Sequence, residues 1–153
     1  MDGLSDAAIA DILISTRRIA IVGASAKPYR PSYGVLGFLL AHGFEVTPVN
    51  PRLAGRTVRG RPAVATLEQA MPLEMVDIFR NPAHAGEAVD AGIRSGARVV
   101  WMQLGVIDQA AARRGRDAGL QVVMDRCPVM EWHRLGLARP PAGPTQKGTP
   151  DDE

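Results

Sequence analysis

The sequence predicts an α/β fold, namely a Rossmann-like, doubly wound sheet of five parallel strands in the order 3-2-1-4-5 with helices on both faces. Two observations support this prediction. Short apolar runs alternate along the chain with segments of helical period, which is typical of parallel strands joined by helical crossovers. Three of these runs follow a glycine suited to the left-handed end of a helix, at Gly43, Gly96 and Gly119. Five strands are too few for an eight-stranded barrel.

Each predicted element has a local signal. The leading helix, residues 4–15, has Ser5 as a candidate N-cap, and a short helix at residues 66–71 begins with Thr66 and Gln69 at capping-box spacing. The strands are predicted at residues 18–22, 45–49, 75–79, 98–102 and 121–124. The remaining helices are predicted at residues 32–42, 83–95 and 108–118.

One residue conflicts with the predicted strand order. Pro48 lies inside the second strand, which the order 3-2-1-4-5 makes internal. A proline there would remove a hydrogen bond of the ladder, and prolines in sheets are confined to edges and bulges. The predicted order therefore requires that pairing has ended before Pro48.

The chain is predicted to form one domain, residues 1–137, followed by a disordered, proline-rich tail, residues 138–153. The length and an apolar content of 46% permit a single core. The tail has no bulky apolar side chain and an acidic end, so it cannot bury enough surface to become ordered.

Composition disfavours several classes of partner. Cys127 is the single cysteine, so an internal disulfide cannot form, and no apolar stretch is long enough for a bilayer. The first fifteen residues carry three aspartates and no basic residue, unlike a signal peptide. A net charge of +2 is too small to argue for nucleic acid. We therefore expect a cytoplasmic protein that binds neither nucleic acid nor membranes.

The basic residues are concentrated in one part of the chain. Eight of them stand between Arg17 and Arg61, against a single acid, Glu45. A local surplus of this kind suggests a small polyanionic ligand, although arginines on solvated loops would give the same count.

The first predicted strand leads into a turn suited to an anion. Residues 19–22 form a short apolar run, and the small residues 23–25 follow it before a basic loop that contains Lys27 and Arg30. A strand, a tight turn and a helix start direct backbone N–H groups and the positive end of the helix dipole to one place. We interpret this turn as the binding site of a phosphorylated ligand.

Residues at the carboxyl ends of the strands discriminate between nucleotides. An NAD site has G-x-G-x-x-G at the first turn and an acid about 20 residues later. This sequence has Gly23, but Ser25 and Pro28 stand at the other glycine positions, and the second strand ends in Asn50, Pro51 and Arg52 without an acid. NAD is therefore disfavoured, NADP stays an alternative, and coenzyme A, whose ribose carries a 3′-phosphate, fits better.

Five segments carry a resemblance that extends from about residue 15 to residue 137. They are residues 22–28 with 30–33 (VGASAKP, RPSY), 48–51 (PVNP), 77–80 (DIFR), 101–105 (WMQLG) and 123–127 (VMDRC). Together they resemble the small stand-alone CoA-binding-domain proteins, which are similar to the N-terminal domain of the succinyl-CoA synthetase alpha subunit. The resemblance implies a Rossmann-like domain that binds coenzyme A at the first turn and at the ends of the second and third strands.

We expect the first turn to hold the pyrophosphate. After Gly23, the N–H groups of Ala24 and Ser25 would bind its oxygens, and Lys27 and Arg30 would neutralise its charge.

The other candidate binding residues are Ser32, Tyr33, Asn50, Pro51, Arg52, Phe79, Arg80 and Gln103. Ser32 is expected to cap the second helix, with or without a contact to the phosphate. Asn50 and Pro51 would border the adenosine, and Arg52 is the candidate for the 3′-phosphate. Phe79 and Arg80 would flank the adenine, and a core position is the alternative for Phe79.

No set of residues predicts catalysis or metal binding. Cys127 and His133 are six residues apart without a further activating group, and no His, Cys or Asp cluster has metal-ligand spacing. We therefore expect a coenzyme A-binding protein without catalysis of its own. An NADP-linked oxidoreductase and a coenzyme A-binding subunit of a multi-chain acyl-CoA enzyme are the alternatives, and a homodimer is left open.

Overall fold

A computed structural model describes residues 2–138. Its helices are α1 (Asp6–Ser15), α2 (Pro31–Ala41), α3 (Pro82–Arg94), α4 (Gln109–Asp117) and α5 (Pro128–Arg134). Its strands are β1 (Arg18–Val22), β2 (Glu45–Val49), β3 (Thr57–Val58), β4 (Arg61–Pro62), β5 (Met75–Ile78), β6 (Val99–Met102) and β7 (Gln121–Met124). The predicted tail, apart from residue 138, lies outside the described residues.

The doubly wound α/β fold is confirmed. β1, β2, β5, β6 and β7 form one parallel sheet, and helices cover both of its faces. Ile12 of α1, Leu36 of α2 and Trp132 of α5 belong to the apolar cluster on one face. The cluster on the other face includes Val89 of α3 and Ala112 of α4. Because successive strand side chains point to opposite faces, each buried strand contributes to both clusters.

The order of the strands differs from the predicted one. The sheet runs β2-β1-β5-β6-β7, which is 2-1-3-4-5 when its five strands are counted along the chain. β5 pairs with β1, where Asp77 lies opposite Ile21, instead of taking the edge beside β2. The order therefore reverses between β1 and β5, and the crevice expected to bind ligands lies above these two strands.

This order explains Pro48. β2 is an edge strand, and the carbonyl oxygen of Pro48 accepts a hydrogen bond from the N–H of Val64 on the outer side of the sheet, at 3.0 Å. The nitrogen and carbonyl of one strand residue point to the same side, so the proline nitrogen also faces outward. No hydrogen bond between β1 and β2 is lost.

The predicted caps at Ser5, at Thr66 and at three helix-ending glycines are confirmed. Ser5 Oγ accepts a hydrogen bond from the N–H of Ala8 at 3.1 Å, and the capping box of Thr66 and Gln69 is present at the 3₁₀ turn Leu67–Ala70. Gly43, Gly96 and Gly119 have φ values of 87°, 80° and 91°, as a left-handed helix end requires.

The β3–β4 hairpin, the 3₁₀ turn Pro51–Leu53 and α5 have no counterpart among the predicted strands and helices. An ionic network fixes α5 to the start of the chain. Arg126 contacts Asp2 and Glu131, each at 2.9 Å, and Arg134 contacts Asp6 at 2.8 Å.

Within residues 2–138, no helix is long and apolar enough to cross a membrane.

Candidate functional site

Two adjoining hollows open at the carboxyl edge of the sheet. The front lobe, about 740 Å³, lies on the α2 side, and the back lobe, about 520 Å³, lies on the α3 side. Gly23, Asn50, Arg52 and Arg80 line both lobes. The lobes therefore form one cleft above β1, β2 and β5, where the strand order reverses.

The cleft collects the residues that the sequence singled out, with one exception. The front lobe is lined by Gly23, Ala24, Ser25, Lys27, Arg30, Ser32, Asn50, Arg52, Phe79, Arg80 and Gln103 among them, and Pro51 lines the back lobe. Tyr33 lines neither lobe. Its side chain lies on α2 outside the cleft, where the ring centroid is 4.5 Å from the guanidinium carbon of Arg59, a residue of the turn between β3 and β4.

Gly23 brings the ends of β1 and β5 together. Its φ is +84°, and a Cβ at this position would collide with the carbonyl oxygen of Phe79. A larger residue would therefore be strained and would also force the two strand ends apart. The close approach places Phe79 and Arg80 beside the first turn, as the observed strand order requires.

In the first turn, the backbone N–H groups of Ala24 and Ser25 form hydrogen bonds within the protein, which the prediction did not include. The N–H of Ser25 donates to Ser32 Oγ at 3.0 Å, and the N–H of Ala24 contacts the carbonyl oxygen of Val49 at 3.4 Å. The two N–H groups expected to bind pyrophosphate are thus engaged within the protein. Within residues 2–138, the N–H groups of Ala26, Tyr29 and Ser32 have no hydrogen-bond acceptor, so these donors remain near the start of α2.

The expectation that Ser32 caps α2 is wrong. Pro31 starts the helix one residue earlier, so Arg30 takes the N-cap position, without a capping bond from its side chain. Ser32 is buried in the first turn of α2, and its hydroxyl points back to the preceding loop. Ser32 therefore holds the shape of the loop around residues 23–25.

Asn50 ties the ends of β1 and β2 to each other. Its Nδ2 donates to the carbonyl oxygen of Ala24 at 2.8 Å, and its Oδ1 accepts from the N–H of Arg52 at 2.9 Å. Both ends of the side-chain amide are thus engaged. Asn50 therefore lines both lobes and fixes the backbone position of Arg52 relative to the first turn.

The front lobe is strongly basic. Its cationic side chains, hereafter the basic set, are Lys27, Arg30, Arg52, Arg56 and Arg80, and its lining contains no aspartate or glutamate. Cations that converge on a concave surface attract a polyanion more strongly than the same charges on a flat surface. Arg56 was missed because it does not stand directly after a predicted strand. Its membership of the basic segment was the available signal.

The back lobe has residues that the sequence analysis did not select. Thr66, Leu67, His84 and Glu87 come from a 3₁₀ turn and from α3. The rule applied to the sequence selects residues directly after strands. These four enter the lobe through the packing of other elements, which no local pattern reports.

Two buried polar side chains face the α2 side of the sheet near the front lobe. Gln103 is 6% exposed, lines the front lobe and has no hydrogen-bond partner for Oε1 within the described chain. Asp77 is fully buried, and neither of its carboxyl oxygens has a partner among residues 2–138. Burial raises the pKa of the Asp77 carboxyl well above its ordinary value. Asp77 lines neither lobe, and its buried carboxyl group favours the neutral form.

Comparison with known proteins adds a family to this geometry. Residues 17–133 match the sequence model of a family described as CoA binding domain. The chain is 32% identical over 128 residues to the uncharacterized protein YneT of Bacillus subtilis (strain 168), covering 83% of this chain and 93% of that protein.

The chain is also similar to solved structures, among them the following two. A hypothetical protein from Pyrococcus horikoshii OT3 is 39% identical with a TM-score of 0.84, and the match covers 90% of this chain and 96% of that one. A protein from Thermus thermophilus is 32% identical with a TM-score of 0.78, covering 86% and 99% of the two chains.

Proposed function

Because this chain belongs to the CoA binding domain family, we propose that it binds coenzyme A, or an acyl form of it, in the front lobe and without catalysis of its own. The observation that carries the proposal is the convergence of the basic set on one lobe whose lining contains no acid. Coenzyme A is a polyanion whose charges lie on its nucleotide half. A basic lobe at the reversal of the strand order suits that half.

The start of α2 is the proposed contact for the diphosphate. The positive end of the helix dipole and the N–H groups of Ala26 and Ser32 are available there, beside the side chains of Lys27 and Arg30. A guanidinium grips two oxygens, whereas an ammonium acts as a point charge. This arrangement replaces the expected contacts from the N–H groups of Ala24 and Ser25.

The end of β2 is the proposed contact for the ribose 3′-phosphate. Arg52 is exposed, lines both lobes and follows the strand whose end is fixed by Asn50. NADP is the second candidate ligand because it also carries a phosphate on its adenosine ribose. The residues directly after β2, at positions 50–52, include no acid that would repel this phosphate.

Calorimetric titration of the purified protein with coenzyme A, dephospho-CoA, NADP and NAD tests the proposal. We expect coenzyme A to bind at least about tenfold more tightly than NADP, a difference of about 1.4 kcal/mol, and NAD to be weakest. Tighter binding of NADP would reverse the assignment. Binding of none of the four would contradict the function itself.

A further inference from the structure

We infer that Arg59 is a positioning residue for the ligand, although it lines neither lobe of the cleft. It acts through a contact with Tyr33 and Gly37 of α2, and these three residues are hereafter the latch. The inference rests on the proposed function. It also gives a role to Tyr33, the predicted site residue that lies outside both lobes.

The latch joins two segments that both contribute to the front lobe. The start of α2 forms one wall of the lobe. The connection from β2 to β5 carries Arg52 and Arg56 of the basic set, and it also carries the β3–β4 hairpin, which has Arg59 in its turn. The contact between Arg59 and α2 therefore fixes one wall of the lobe relative to the cations of the other.

The guanidinium of Arg59 occupies a space that Gly37 leaves open. Its carbon lies 4.5 Å from the centroid of the Tyr33 ring, within the range of a cation–π contact. Gly37 is one turn further along α2, and a Cβ at this position would lie 2.5 Å from the guanidinium. Any side chain at position 37 would therefore displace the guanidinium from its place beside the ring.

The backbone of Arg59 has a conformation that arginine seldom adopts. Its φ is +49°, in the left-handed region. Together with Gly60, whose φ is +80°, it forms the two-residue turn of the hairpin, where asparagine or aspartate usually precedes the glycine. Strain of this kind persists where surrounding contacts compensate for it. The contacts with Tyr33 and Gly37 provide that compensation.

Backbone hydrogen bonds connect the hairpin to Arg56. Val58 pairs with Arg61 across the hairpin, and the N–H of Ala63 donates to the carbonyl oxygen of Arg56 at 2.8 Å. The N–H of Arg56 donates in turn to the carbonyl oxygen of Leu53 at 2.9 Å. A hairpin that is fixed at its turn therefore also restricts Arg56. Without the latch, the ligand would have to order this segment when it binds, which lowers the affinity.

Two glycine variants of α2 test the latch without changing any charge. Gly37→Ala places a methyl group where the guanidinium lies, and the flexible arginine side chain moves away. Gly34→Ala is the matched control on the same helix, because a Cβ there has no neighbour within 4 Å. In calorimetric titrations we expect Gly37→Ala to bind coenzyme A about two- to fivefold more weakly, as the loss of one cation–π contact implies, and Gly34→Ala to bind it as the wild type does.

A third variant identifies the residue that the methyl group displaces. Arg59→Ala should weaken coenzyme A by the same factor as Gly37→Ala. The double variant should lose no more than Arg59→Ala alone, because both substitutions break the same contact. Arg94→Ala removes an equal charge outside both lobes and should leave the affinity unchanged.

The outcomes distinguish a positioning role from a structural one. If the latch only stabilised the hairpin, folded Gly37→Ala and Arg59→Ala proteins would bind coenzyme A with the wild-type affinity, whatever their melting temperatures. That result, equal losses in Gly37→Ala and Gly34→Ala, or additive losses in the double variant would overturn the inference alone. Wild-type protein that does not bind coenzyme A contradicts the proposed function, and the inference with it.

Discussion

Arg52 is the residue that most directly separates coenzyme A from its precursor. It is exposed at the junction of the two lobes, behind a strand end that Asn50 holds in place. Arg52→Ala should weaken coenzyme A about tenfold and dephospho-CoA much less, because only coenzyme A carries the 3′-phosphate. Parallel calorimetric titrations of the two ligands measure the difference.

A variant outside the cleft controls this experiment. Arg94→Ala removes an exposed arginine from the last turn of α3, outside the lining of both lobes, and should change neither affinity. Equal losses of both ligands in Arg52→Ala would remove Arg52 from the phosphate contact.

The burial of Asp77 predicts how the free energy of unfolding depends on pH. Burial raises the pKa of its carboxyl well above the ordinary value in the folded protein, whereas in the unfolded chain it ionises near pH 3.9. The folded state therefore holds a proton that the unfolded state has lost. The stability from this group is complete below about pH 3.9 and is lost as the pH rises through the folded-state pKa.

The Asp77→Asn variant removes that loss. We expect its free energy of unfolding to exceed that of the wild type at pH 7, because the amide is neutral in both states and loses no proton on unfolding. The advantage should shrink as the pH is lowered towards 4. Urea denaturation of both proteins between pH 4 and pH 8 measures it, and a difference that does not vary with pH would show that Asp77 is ionised in the folded protein.

Single residues of the site were predictable where a strand end determines their position. Gly23, Arg52 and Arg80 were found in this way, and all three line the cleft. The role of Ser32 was not predictable. A shift of the helix start by one residue determines whether its hydroxyl caps the helix or contacts the preceding loop. Tyr33 was assigned by its place in a motif, and the motif does not report that Arg59 covers the ring.

At the scale of elements, the loop between β1 and α2 should account for the electrostatic part of binding. Lys27 and Arg30 are exposed members of this loop and line the front lobe at the start of α2. The double variant Lys27→Ala, Arg30→Ala should bind coenzyme A and dephospho-CoA at least about tenfold more weakly. The decrease of affinity with added salt should also become shallower, because fewer charges remain to be screened.

A control with the same loss of charge isolates the position of these residues. Arg113→Ala, Arg116→Ala removes two exposed arginines from α4, neither of which lines the two lobes. If that variant matches the loop variant in affinity and in salt dependence, net charge alone would be responsible. The proposed contact at the start of α2 would then be wrong.

Elements with several independent signals were predictable, and elements without them were not. α1 has a serine cap and an apolar face, and three helices end in a glycine of positive φ. The strands β3 and β4 have two residues each, which is too short for a pattern of alternation. α5 has seven residues, and its place depends on ion pairs with Asp2 and Asp6 at the other end of the chain.

For the whole molecule, local signals specify the fold class and leave the order of the strands undecided. The orders 3-2-1-4-5 and 2-1-3-4-5 both use right-handed crossovers and similar buried strands, so the apolar pattern does not separate them. Pro48 did contain the missing information, because a proline that faces the edge belongs in an outer strand. The observed order also moves the ligand crevice to β1 and β5, which brings Phe79 and Arg80 to the first turn.

A crystal structure of the protein with coenzyme A tests the central claim most directly. We expect the diphosphate at the start of α2 between Lys27 and Arg30, and the adenosine on the β2 side near Arg52. A nucleotide lodged away from the cleft, or a front lobe filled by the protein's own side chains, would contradict the account.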